Sequence, residues 1–472
     1  MLYSISYESY NRKGFEKMSK QARNDFTQGS MSGNMLRLAV PMTFAQLINV
    51  LYNVVDRMYI GHIPETGMVS LTGLGVTFPI IMFVTAFTRL FGDGGAPLTS
   101  IARGEGKLDY AEKIMNNSFQ LLILSGVVLT ILGLLFKKPL LYAFGASDVT
   151  WPYADKYITI YLLGSVFVMT GLGMNSFINA QGFARVGMFS VLIGAIVNII
   201  LDPIFIFLMH MGVQGAALAT IISQAVSAVW VLRFLTSDKA ILRLSLRPGG
   251  LDGTIIKRIL GLGLSGFTMA CTNSAVQIAC NASLQAFGGD LYVGVMTVLN
   301  SIREIVFMPV HGLTSGAQPV LGYNYGAGEY GRVKNGIRFI SVTGVLFCTF
   351  VWVLLMLFPT FWISIFNQDP ELLKIGKHAL RLYYMGYFLM SLQSSGQSVF
   401  VGLGKSKQAI FFSLLRKVIL VVPLVLILPH LFGLGVDGVF LSEPISDLLG
   451  GGACYVTMYF TLYRKLGDRK PA

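Results

Sequence analysis

The chain reads as a series of long apolar runs separated by short polar breaks. The runs lie near 36–62, 68–100, 112–136, 153–182, 187–209, 213–235, 255–287, 291–321, 333–360, 373–401, 407–430 and 434–463. Each offers the ~20 residues a helix needs to cross the hydrocarbon core. Apolar positions run continuously and do not alternate, which argues against the strands of a membrane barrel. The pattern predicts an all-α integral membrane protein with twelve transmembrane helices.

The polar stretches 1–35, 236–253 and 464–472 then read as an N-terminal tail, a linker and a C-terminal tail. The start, MLYSISYESYNRKGFEKMSKQARND, lacks the apolar centre of a cleaved signal peptide and is expected to be a polar cytoplasmic tail. With both termini in the cytoplasm, about 25 of the 36 Lys and Arg fall in cytoplasmic tails and loops, the positive-inside bias. That bias accounts for the net charge of +13, through topology and contact with anionic head groups. Basic residues spread over many short loops make no nucleic-acid patch. Composition agrees: 54% hydrophobic, 12% charged and a mean hydropathy of +0.64, where a soluble domain is about a quarter charged. The four cysteines all fall in apolar runs, at spacings that suit neither a zinc site nor a disulfide framework.

The chain is built twice. GGAPLTSIARGEG near residue 100 resembles SGAQPVLGYNYGAG near residue 320, with Pro97, Gly104 and Gly106 matching Pro319, Gly326 and Gly328 at an offset of 222. QGFARVGM matches VGLGKSKQ, pairing Gly182 with Gly402, Arg185 with Lys405 and later Pro203 with Pro423, at 220. GVQGAALAT (212–220) matches GVDGVFLSE (435–443) at 223. The expected architecture is two pseudo-symmetric six-helix lobes, 36–235 and 254–463, around a central cavity. Such halves rock against each other in transporters, with hinges expected at 104–106, 326–328 and the linker. No ATP motor is visible: GLGKS at 402–406 imitates the end of a P-loop, but Val399 stands where its first glycine belongs. Uphill transport would then need an ion gradient.

Buried acids are where an ion could act, since an ionised Asp at a helix centre costs about 2.5–3.5 kcal/mol. Asp56 lies in NVVDRMYIGH and Asp202 in NIILDPIFIF. Thr220 sits at a similar depth, and Asn198 is one turn from Asp202 on the same face. Two carboxylates, an amide and a hydroxyl suit a hard cation such as Na⁺; alternatively, two close carboxylates could carry a proton. Pro203 is expected to kink its helix. In the second half Asp202 corresponds to Val422, Asn198 to Val418, Asp56 to Cys280 and Thr220 to Glu443, so the ion site is expected in the first half alone.

These segments resemble the multidrug and toxic compound extrusion (MATE) family, bacterial branch. VDRMYIGH after Pro41, ARGEGKLDYA with its partner GYNYGAGEYGRV, and QGFARVGM followed by NIILDPIFIF carry the likeness. The resemblance implies cation-coupled efflux of lipophilic, often cationic compounds, no cofactor, and Na⁺ or H⁺ as coupling ion at Asp56, Asn198, Asp202 and Thr220. It also implies a bacterial plasma-membrane location, contact with membrane lipid and no enzymatic activity; the assembly is expected to be a monomer. Acids that some members carry on helices 7 and 10 are absent here. Polar residues expected to face the cavity are Gln46, Asn49, Asn273, Gln277, Arg303, Glu304, Gln393, Gln397 and Glu443. Asp93 in FGDGGAP reads as a cavity-facing carboxylate or a helix kink. The rival reading is a lipid or lipid-linked saccharide flippase, which clustering of Arg89, Arg303 and Arg416 in the cavity would favour.

Overall fold

The computed structural model describes residues 24–246, 250–366, 368–431 and 433–467. The expected tails fall largely outside the described residues, at 1–23 and 468–472, as does part of the linker, 247–249. No strand occurs among the described residues. Among the described residues twelve long helical elements follow one another, with a short helix Pro359–Ser364 between the ninth and tenth: α1 (Met31–Gly61), α2 (Gly67–Gly104), α3 (Leu108–Ala143), α4 (Trp151–Leu163 and Ser165–Ala180), α5 (Ala184–Leu208), α6 (Val213–Thr236), α7 (Gly253–Gly288), α8 (Asp290–Gly326), α9 (Tyr330–Leu357), α10 (Pro370–Tyr383 and Met390–Gly402), α11 (Ser406–His430) and α12 (436–467). These form two lobes, α1–α6 and α7–α12.

Local chemistry sets several boundaries. Ser30, Asp252 and Asp369 cap α1, α7 and α10 by accepting backbone N–H bonds in the first turn. α4 bends by 55° at Gly164. Pro203 does not break α5; the helix passes through it into a π-turn at Ile204–Leu208. Further π-turns interrupt α11 at Leu415–Val421 and α12 at Asp447–Gly451.

The two lobes repeat each other's geometry, and this corrects the register read from sequence. Gly106 and Gly328 share φ of 75° and 76°, and Gly212 and Gly435 share 54° and 52°, conformations that glycine adopts at little cost. Gly182, at 87°, finds its counterpart in Gly404, at 69°, and not in Gly402. The π-turn of α11 then adds one residue. Gly215 abuts the Phe205 carbonyl as Gly438 abuts that of Leu428. Asn198 and Asp202 therefore correspond to Val421 and Val425, three residues beyond the expected positions. Cys280 and Glu443 remain the counterparts of Asp56 and Thr220.

The lobes cross closely at one end, where the 104–107 and 326–329 turns lie. A methyl on Gly104 would stand 2.0 Å from the Tyr323 carbonyl oxygen, and one on Gly326 would stand 2.1 Å from that of Ile101. Arg103, buried beside this crossing, donates to the Ala180 carbonyl at 2.8 Å and stacks over the Tyr323 ring. Asn324 donates to the Phe26 carbonyl at 3.1 Å. The hydrophobic cores interlock here too: the start of α1 packs among α8, α9 and α10, while Ile255, Ile259 and Leu262 of α7 join the first lobe's core.

Candidate functional site

Asp56 of α1 and Asn198 and Asp202 of α5 are buried together where these two helices pack. The Asn198 amide donates to Asp202 Oδ1 at 3.3 Å, the one-turn spacing acting along a single face. The Asp56 and Asp202 carboxyl groups face each other within hydrogen-bonding range. Thr220 joins from α6 through the Tyr157 hydroxyl, which faces both it and Asp56. Tyr52 and Tyr161 complete the wall. Arg57 makes no ion pair with Asp56 among the described residues; its guanidinium lies 5.7 Å from the Phe78 ring centroid, as side chains about 100° apart on a helix require.

Asp56 Oδ1, Asn198 Oδ1 and Asp202 Oδ2 are buried without a hydrogen-bond donor among the described residues. An unsatisfied buried acceptor costs about 1–3 kcal/mol, more when charged. These oxygens therefore call for a cation or a proton. The set of two carboxylates, an amide and a hydroxyl fits a hard monovalent cation, and the facing carboxyls equally fit one shared proton. No group of three or more His, Cys, Asp or Glu suited to a metal occurs among the described residues.

The second lobe presents the opposite charge at the equivalent level. Glu443 of α12 accepts from Arg303 of α8 at 2.8 Å and Lys417 of α11 at 3.0 Å through Oε1, and from Arg416 at 2.8 Å through Oε2. Arg416 also pairs with Asp447 at 2.5 Å. Arg303 donates to the Tyr383 hydroxyl at 2.8 Å, Tyr383 to Asn300 at 3.2 Å, and Asn300 to Gln277 at 2.9 Å.

Between the lobes lies a cavity of about 360 Å³. Gln46, Asn49 and Gln397 line it. The other six expected cavity residues do not. Arg303 and Glu443 are held in their ion network, and Gln277 in the ladder to Asn300. Gln393 is buried against Gly451 and Cys454, while Asn273 and Glu304 are exposed and are not among the residues that line this cavity. The lining instead carries Arg89, Asp93, Asn175, Asn179, His311 and Gln318. Asp93 is thus a cavity carboxylate, accepting from Ser176 at 2.9 Å. Spacings of one turn (Arg89/Asp93, Asn175/Asn179, His311/Ser315) were the signal for these faces. Of the three arginines whose clustering would mark a flippase, only Arg89 reaches the cavity.

A family model described as MatE matches residues 41–204 and 266–427, one segment in each lobe. The chain is 27% identical over 451 residues to the multidrug export protein MepA of Staphylococcus haemolyticus, covering 93% of this chain and 94% of that one. It superposes on a crystal structure of MATE in complex with MaD3S with a TM-score of 0.88 at 22% identity, covering 95% and 99%. It likewise superposes on an outward-facing multidrug resistance MATE family transporter of the MOP superfamily, with a TM-score of 0.87, 22% identity and coverage of 95% and 99%.

Proposed function

The chain belongs to the MATE family of multi-pass membrane transporters, and on that premise we propose that it exports lipophilic, often cationic compounds in exchange for Na⁺ or H⁺. The observation that carries this reading is the pair of facing carboxylates, Asp56 and Asp202, with orphaned buried oxygens and no ion-pair partner. Such a pair stays buried at low cost only when a cation or proton neutralises it. Asn198 orients Asp202, Tyr157 orients Thr220, and the mobile charge completes the shell. Loss of that charge restores a negative field in the first lobe, which draws cationic cargo into the cavity; its return releases the cargo.

The ends of the described chain, Asn24 and Gly467, the described part of the linker and the 104–107 and 326–329 turns lie at one end of the molecule. With both termini cytoplasmic, that closed end faces the cytoplasm and the cavity is directed outward. The location is the bacterial plasma membrane. One chain supplies both lobes and the whole cavity, so a monomer suffices. The nearly uncharged cavity, with Arg89 balanced by Asp93 one turn away, favours drug-like cargo over a phosphate-bearing lipid.

The test is dye efflux from everted membrane vesicles driven separately by a Na⁺ and by a pH gradient. The reading requires gradient-dependent efflux that Asp202→Asn abolishes. Efflux indifferent to both gradients would leave a passive pathway or a flippase.

A further inference from the structure

The second lobe raises a question that transport through the first lobe leaves open. It holds five charged side chains in its interior: Arg303, Arg416, Lys417, Glu443 and Asp447. With the corrected register, the positions of Asp56, Asn198, Asp202 and Thr220 are taken by Cys280, Val421, Val425 and Glu443. Three of these replacements remove a ligand, and the fourth introduces an acid. Arg416 and Lys417 stand where the first lobe has the small residues Gly194 and Ala195, one turn before Asn198. Arg303 stands where it has Ile81.

The backbone supports this exchange. Consecutive residues on an α-helix point about 100° apart, so Arg416 and Lys417 would not ordinarily reach one carboxylate. Both lie in the π-turn Leu415–Val421, whose wider backbone lets both side chains meet Glu443. Asp447 opens a second π-turn on α12. Such turns recur at functional sites. The groups facing the cluster from other helices are neutral hydroxyls and thiols: Tyr383 at the end of α10's first segment, Tyr384 and Tyr387 in the break that follows it, Cys280 of α7 and Cys348 of α9. The Asp56–Asp202 site of the first lobe thus carries two acids and no paired base, while the second lobe's cluster carries two acids and three bases.

We propose that the second lobe contains a vestige of the same cation site, kept permanently filled by the chain's own Lys417 ammonium and Arg303 guanidinium in place of a mobile ion. This rests on the reading of Asp56 and Asp202 as the first lobe's cation site. The second lobe then keeps one electrostatic state throughout the cycle, and one mobile charge site operates per chain. Removing Arg303 and Lys417 leaves Arg416 facing Glu443 and Asp447, a net negative cluster that takes up an external cation.

Ion binding to the purified full chain tests this without reading efflux, so failure of the efflux reading remains separate. In an Asp56→Asn/Asp202→Asn background, replacing N-methylglucamine with Na⁺ at pH 8.5, or lowering the pH to 6, leaves the melting temperature unmoved. Adding Arg303→Met and Lys417→Met makes it rise by several degrees with Na⁺ or with acid, as expected when a ligand binds only the folded state. A folded quadruple variant indifferent to both overturns the proposal. A second measurement does not depend on that variant folding. Cations bound per chain, counted by equilibrium dialysis and proton release, are one in the unmodified protein and none in the Asn background. Two or more in the first, or any remaining in the second, overturns it.

Discussion

Gly326→Ala should wedge the closed end of the molecule open. The added methyl would stand 2.1 Å from the Ile101 carbonyl oxygen of the opposite lobe. That oxygen cannot swing away, because it accepts the Glu105 N–H at 2.9 Å. Ordinary contact begins near 3.4 Å, so α2 and α8 must part by more than ~1 Å. Overpacking of this kind costs about 1–3 kcal/mol when helices stay together. A transporter whose lobes separate at this end has a way to avoid the cost, so the penalty appears as a shift of roughly 5- to 150-fold toward the conformation open there. Spin labels at Lys107→Cys and Glu329→Cys, in the two turns, report the separation by pulsed electron paramagnetic resonance. Gly331→Ala, whose methyl meets open space, is the control and should leave the distances unchanged. A folded Gly326→Ala protein with the same distance distribution as its parent would refute the idea that this crossing closes the pathway.

Three further outcomes follow. Asp202→Asn should fold and bind cationic dye more weakly, and should lose gradient-driven efflux; coupled efflux in that variant would remove Asp202 from the ion site. Arg416→Met should lower thermal stability by about 3–5 kcal/mol, because it leaves two buried acids with fewer partners, and chemical denaturation in detergent measures it; a change under ~1 kcal/mol would mean the network is hydrated. A cysteine pair bridging α1 and α7 at their ends away from the closed seam should stop transport when oxidised and restore it when reduced, whereas undiminished efflux in the cross-linked protein would contradict lobe rocking.

Helix number and the Asp56–Asn198–Asp202 grouping were legible because membrane insertion makes long apolar runs and buried acids conspicuous. The repeat was legible too, but its register along α5 and α11 was not. Sequence paired Pro203 with Pro423, whereas the π-turn at Leu415–Val421 inserts a residue that no local pattern announces. The same turn explains why Arg416 was weighed only as a cavity arginine and not as a partner of Glu443. Asp447 was overlooked although it lies one turn from Glu443 on α12, a spacing that places both acids on one face. Arg303 and Glu443 were misplaced into the cavity because sequence shows a charge, but not the partner that holds it. Tyr157 escaped because an aromatic in an apolar run carries no sign of where its hydroxyl points.

In the proposed exchange, mobile cation and cargo oppose each other through the first lobe. At an effective dielectric near 20, a unit charge about 8 Å from a carboxylate interacts by roughly 2 kcal/mol, so neutralising two carboxylates should weaken a cationic dye by two orders of magnitude or more. The direct measurement is dye affinity of the purified protein across Na⁺ concentration and pH. Affinity should fall as Na⁺ or H⁺ saturates the site, with an equal reciprocal loss of cation affinity when dye is bound. Asp56→Asn/Asp202→Asn should flatten the dependence. Dye affinity indifferent to both ions, with Asp56 and Asp202 intact, would contradict it.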